Sequence, residues 1–112
     1  MSKRKWELYI TDISDCVNKI ISFTKELNPD DFLATDLILD AVLRNLQVIG
    51  EASNQVPDFA KERYPDIPWS DMYRTRNILI HNYFGIDSQI IWRIVTSHLP
   101  KCLPLIEVMI TY

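Results

Sequence analysis

The sequence predicts an all-α domain, an antiparallel four-helix bundle with a short additional helix and a kinked C-terminal helix. Three observations predict it. Apolar residues recur at three- and four-residue steps nearly throughout, the spacing of a buried helix face. Only two glycines occur, Gly50 and Gly85. Prolines and Asn/Asp clusters fall between the apolar runs, where they punctuate helices. At 112 residues the chain makes a single domain, 1–112, with room for one core.

The first run, Trp6, Tyr9, Ile10, Ile13, Cys16, Val17, Ile20, Ile21 and Leu27, predicts a helix from about Arg4 to Leu27. Asn28-Pro29-Asp30-Asp31 ends it. A second helix is expected from Thr35 or Asp36 to Val56, stopped by Pro57. It is apolar over more than half its circumference, which marks a central, heavily buried helix. One stripe stays polar: Asp40, Arg44, Gln47, Glu51 and Asn54. It reads equally as a solvent edge with an Asp40–Arg44 pair, or as a polar wall facing a cleft or a partner.

Asp58–Tyr64 allows one short helix between Pro57 and Pro65. Pro68 suits the first turn of a third long helix, with Asp66 as its cap. That helix carries Trp69, Met72, Tyr73, Ile78, Leu79, Ile80 and His81, and fails at Gly85. Asp87 caps the last helix, which Pro100 and Pro104 must kink before an apolar tail. The three tryptophans, Trp6, Trp69 and Trp92, are expected to pack the core rather than stack bases.

Composition narrows the function classes. No apolar run approaches the eighteen or so residues needed to span a bilayer. Trp6-Glu7, Asp12 and Asp15 interrupt any signal-peptide segment after the basic start, so a cytoplasmic protein is expected. Cys16 and Cys102 lack metal-ligand spacing and read as two reduced, buried thiols. The net charge of −3 argues against a protein that coats nucleic acid. The charge is uneven. Residues 1–60 hold six basic and ten acidic side chains, whereas residues 61–112 hold six and five.

The less anionic half contains the most reactive stretch, Arg76-Asn77-Ile78-Leu79-Ile80-His81-Asn82-Tyr83-Phe84-Gly85-Ile86-Asp87. It combines a permanent cation, a group that exchanges protons near neutral pH, and a phenol. RNA carries its own nucleophile, the 2′-hydroxyl. Its cleavage needs proton transfer, which histidine supplies, and a clamp on the phosphoryl oxygens, which arginine supplies. No metal or cofactor is required. On a helix Arg76 and His81 lie about 140° apart around the axis, so they flank a groove without touching. Asn77 and His81 share a face, so Asn77 could orient the imidazole or contact substrate. A single histidine serves as base and acid in turn, unless two copies meet across a symmetric dimer. The same residues also fit a salt bridge, a half-buried imidazole and a packed phenol. His98, near the C-terminal kink, reads as a satisfied or exposed histidine.

The Arg76–Asp87 run resembles the signature of the HEPN superfamily and, more narrowly, the Arg-x4-His-x-Tyr motif of the HepT toxins. Asp31-Phe32-Leu33, Arg44-Asn45-Leu46, Ile49-Gly50-Glu51-Ala52 and Pro68-Trp69 resemble HepT-like chains in the same order and spacing. The resemblance implies a metal-independent ribonuclease toxin of a type VII-like toxin–antitoxin pair, acting on RNA as a homodimer or higher even oligomer. It implies a partner, an MntA-type minimal nucleotidyltransferase antitoxin that transfers AMP from ATP to the motif tyrosine. By position, Arg76 and His81 would be catalytic and Tyr83 the modified residue. Asn77, Asn82, Arg44 and Glu51 are supporting cleft candidates. The competing function is a non-catalytic dimeric binding module that partners a nucleotidyltransferase.

Overall fold

The computed structural model describes residues 5–82 and 85–111. Every regular element among them is helical. In chain order they are α1 (Trp6–Thr24), α2 (Pro29–Ala34), α3 (Asp36–Gln55), α4 (Asp58–Arg63), α5 (Trp69–His81), α6 (Ser88–Arg93), a π-helical turn (Ile94–His98) and α7 (Leu99–Thr111). α3 packs against both α1 and α5, and α7 packs along α1. The expected central role of the second long helix is therefore what the chain adopts.

The core follows the apolar spacing. Ile13, Val17 and Ile20 of α1 are fully buried, at successive steps of four and three. Val42, Leu46 and Ile49 present the matching stripe of α3, and Ile106 of α7 closes the same cluster. Phe32 is fully buried beneath Trp92, with ring centroids 5.0 Å apart. Truncating such an aromatic to alanine costs about 3–5 kcal/mol. Trp69 is buried and Trp6 meets Phe59 edge to face, so the described tryptophans pack against hydrophobic neighbours as expected.

Three boundaries differ from expectation. Arg4, the predicted start of the first helix, lies outside the described residues; Lys5 caps α1, which ends at Thr24. Asn28-Pro29-Asp30-Asp31 does more than end a helix. The Asn28 side chain accepts a hydrogen bond from the Asp31 N–H at 2.8 Å, and Pro29 occupies the first turn, so a second short helix starts there. Asp66 does not cap α5; Pro68 does, with no side-chain cap bond. The Trp69 indole N–H instead ties the preceding loop by donating to the Tyr64 carbonyl at 3.1 Å.

The C-terminal prediction is met in a specific form. Asp87 accepts from the Gln89 N–H at 2.9 Å and starts α6. The helix then widens into the π turn just ahead of Pro100. Proline lacks an N–H and crowds the preceding turn, and a local π-bulge accommodates both. Pro104 sits inside α7. Cys16 and Cys102 are free, buried thiols, and burial raises the pKa of each. No helix among the described residues is long and apolar enough to cross a membrane.

Candidate active site

α5 carries the reactive residues, and its closeness to α3 fixes one of them. Gly50 of α3 faces Met72 and Arg76 of α5. A Cβ at residue 50 would overlap the Arg76 Cβ and stand 2.6 Å from the Met72 carbonyl oxygen. Only glycine lets the two helices approach this far. The aliphatic stem of Arg76 consequently lies flat on the α3 backbone.

The head of Arg76 has three further neighbours. Its Nε stands 3.6 Å from Glu51 Oε1, one residue beyond Gly50 on α3. Its Nη1 donates to Asn77 Oδ1 at 2.9 Å. Its Cζ lies 5.7 Å from the centre of the Tyr73 ring, within cation–π range. The Arg76 side chain keeps 27% of its surface open and Glu51 keeps 47%. The arginine is thus anchored along its length with part of its head accessible.

His81 is the last residue of α5 and is exposed. The helix stops there because the chain turns. The Asn82 N–H closes on the Ile78 carbonyl at 2.9 Å, and the Gly85 N–H on the Asn82 carbonyl at 3.1 Å. A Cβ at residue 85 would stand 2.6 Å from Asn82 Oδ1, so the Asn82 side chain lies against the Gly85 backbone. Asn82 therefore has a visible role in the turn beside His81.

The other sequence candidates separate. Asn77 engages Arg76, through the bond above, rather than the imidazole four residues on. Glu51 lies beside Arg76 while staying about half exposed, so this part of the α3 polar stripe faces both the arginine and solvent. Arg44 is exposed two turns earlier on α3. Tyr83 lies outside the described residues. His98 is exposed in the π turn. Among the described residues, no group of three or more His, Cys, Asp or Glu side chains is placed to hold a metal ion.

Two contributors escaped the sequence reading. Tyr73 is read in the sequence only as a residue of the third long helix, although its place three residues before Arg76 puts it on the same helix face. Gly50 stands in the sequence as one of two glycines and within the Ile49–Ala52 segment of the resemblance, but nothing local distinguishes a glycine at a helix crossing from one in a turn.

A separate groove of about 460 Å³ opens on the other flank of α5, between α3 and the C-terminal helices. Ile78, Ile90 and Leu105 line it and remain exposed at 51%, 51% and 36%. Neither Arg76 nor His81 lines it, but Ile78 lies one turn before His81 on α5.

Comparison with known proteins identifies the family. Residues 13–109 match the family described as Ribonuclease HepT-like. The chain is 40% identical over 109 residues to "Putative RNase MJ1380" of Methanocaldococcus jannaschii, covering 97% of this chain and 100% of that one. It is 41% identical over 99 residues to "Probable ribonuclease HepT" of Thermococcus cleftensis, covering 88% and 90%. No solved structure matches. The match spans α3, α5 and the whole Arg76–His81 segment, and on that extent and identity the chain belongs to the HepT-like ribonuclease family.

Proposed function

We propose that this protein is a metal-independent RNA endonuclease in which Arg76 and His81 act on the scissile phosphodiester. The observation that carries the reading is their placement on α5. Arg76 is anchored against α3 with its head partly open, and His81 is exposed at the end of the same helix.

The reaction suits these groups. His81 in its neutral form takes the proton of the 2′-hydroxyl as that oxygen attacks phosphorus. The bond from phosphorus to the 5′-oxygen breaks, and the protonated imidazole returns a proton to the departing oxygen. The products are a 2′,3′-cyclic phosphate and a 5′-hydroxyl. Arg76 bears on the non-bridging oxygens, whose charge grows in the transition state.

Arg76 and His81 project from different sides of α5, so we place the working site between two copies of the chain. The exposed Ile78, Ile90 and Leu105 supply an apolar face beside His81 on which a second copy can pack. We further assign the protein as the toxin of a toxin–antitoxin pair. A nucleotidyltransferase antitoxin would silence it by transferring AMP from ATP to the Tyr83 hydroxyl, releasing pyrophosphate. Phosphate charge added two residues from His81 would repel RNA.

The test is cleavage of RNA by purified protein in excess chelator, with analysis of the fragment ends. Cyclic phosphates are expected, and their loss in His81→Ala with the fold retained. Intact RNA after incubation with folded wild-type protein would instead favour a binding module that serves the nucleotidyltransferase. Co-expression with an MntA-type nucleotidyltransferase, followed by intact-mass measurement, tests the silencing half: increments of one AMP unit should map to Tyr83.

A further inference from the structure

The Nε of Arg76 is buried, and no described residue accepts its hydrogen bond. The nearest carboxylate, Glu51 Oε1, stands at 3.6 Å, beyond bonding distance. Proteins rarely leave a charged donor in this state. The atoms around it are also the ones that fix its place: the stem lies on Gly50, Nη1 is bound by Asn77, and the Tyr73 ring flanks the head. Glu51 is about half exposed, so its carboxylate is not fixed by packing. The arrangement is a clasp one short movement from closed.

We propose that Gly50 and Glu51 are positioning residues for Arg76, with Glu51 closing on Nε when a phosphodiester occupies the site. Gly50 acts by absence, since its missing side chain lets the arginine stem lie on α3. Glu51 acts by taking the inner edge of the guanidinium. The outer edge, formed by the two terminal nitrogens, is then turned to the phosphate in a fixed plane. Arginine presents its donors as a rigid fork, so fixing one edge orients the other. A phosphate oxygen pulling on the terminal nitrogens also polarises the Nε–H, and bonds in such a chain strengthen each other. The catalytic half of this inference rests on the ribonuclease reading; the clasp itself does not.

A carboxylate beside the phosphate site also opposes RNA binding by like charge. The clasp therefore predicts a split effect. Removing the Glu51 charge should weaken the chemical step while leaving binding unchanged or tighter. A residue that merely stabilises the fold would not produce that split.

The experiment uses the full-length protein with Glu51→Gln, Gly50→Ala and Arg76→Lys. The first readout is the Nε–Hε signal of Arg76 in a ¹⁵N-labelled sample, assigned by its loss in Arg76→Lys. In the wild type, adding a non-cleavable 2′-deoxy oligonucleotide should slow its exchange with water, and in Glu51→Gln it should not. The second readout is steady-state cleavage of a short RNA. Glu51→Gln should lower kcat by about tenfold, the scale of one lost charge-assisted hydrogen bond, with KM unchanged or reduced. In the Arg76→Lys background, which lacks Nε, Glu51→Gln should have no further effect.

An Nε–Hε signal that responds equally in wild type and Glu51→Gln overturns the clasp. So does an equal loss of kcat in both arginine and lysine backgrounds. If the wild type binds the oligonucleotide but cuts no RNA, the ribonuclease reading fails while the exchange measurement still decides the clasp; if it does not bind, both fail. If Gly50→Ala does not fold, the Glu51→Gln results decide alone.

Discussion

The stem of Arg76 occupies the space that a side chain at Gly50 would need. Two residues 26 positions apart in sequence are thereby made interdependent. In an ordinary exposed helix, Gly→Ala raises stability by about 1 kcal/mol through backbone entropy. Here the added methyl meets a Cβ and a backbone carbonyl, neither of which can swing away. Gly50→Ala should therefore lower stability by about 1–3 kcal/mol, the usual range for overpacking. Denaturant unfolding with an unchanged m-value checks this. A more stable Gly50→Ala would show that α3 and α5 do not approach as closely as described.

His81 is exposed, and its loss should separate activity from folding. His81→Ala should stay within about 0.5 kcal/mol of wild-type stability, as surface substitutions do. Its RNA cleavage should fall by about 10²–10⁴, the contribution of general acid–base catalysis. Arg76→Ala should lose activity and some stability as well, because its stem packs on α3. Melting curves and cleavage rates measured on the same preparations test the contrast. A fully active His81→Ala removes the histidine from the mechanism.

The candidate residues and the central helix stand out in the sequence for different reasons. The Asp36–Gln55 helix announces itself through its apolar stripe and the proline that follows. Arg76 and His81 stand out because few residue types supply permanent charge and proton exchange. What was not legible depends on contacts between distant positions. Glu51 was a candidate through its place in a polar stripe and through the resemblance, but the partner beside it, Arg76, belongs to another helix. Asn28 and Pro29 misled in a local way: the residues that stop one helix are also those that start the next, and only the hydrogen bond to Asp31 shows that they do both.

If a second copy packs on the groove beside His81, charge placed there should prevent it. Ile78→Glu puts a carboxylate in the middle of the face formed with Ile90 and Leu105. Ile78 is half exposed in a single chain, so the monomer should still fold. Sedimentation should show a dimer for wild type and a monomer for Ile78→Glu. The variant should retain helical content and lose cleavage. A wild-type monomer that cuts RNA at full rate would place the whole site within one chain.

The buried thiols set a pH dependence with a definite sign. Burial raises the pKa of Cys16 and Cys102 because the thiolate is poorly solvated in the core. The folded chain then binds protons that the unfolded chain releases at high pH. Their contribution to stability is present in full below the ordinary thiol pKa of about 8.5, and it is lost as pH rises toward the raised folded values. Wild-type stability should fall more steeply above that point than in a Cys16→Ala, Cys102→Ala double variant, with parallel curves below it. The thiols should also resist alkylation in the folded state. Equal slopes in both proteins would mean that the thiols titrate in the folded chain as they do in water.

Whether Arg76 and His81 act from one chain or from two can be read by mixing inactive variants. Arg76→Ala and His81→Ala homodimers should each be inactive. In a mixed dimer with composite sites, one site combines both defects and the other combines the intact arginine of one protomer with the intact histidine of its partner. Random re-association makes about half the dimers mixed, with one of two sites restored, so about a quarter of wild-type activity should return. A site built within one protomer regains nothing, because each chain still lacks one group. The 140° or so between the two residues on a regular helix favours the composite case. Refolding the variants separately and together, then comparing cleavage rates at equal total protein, decides between them.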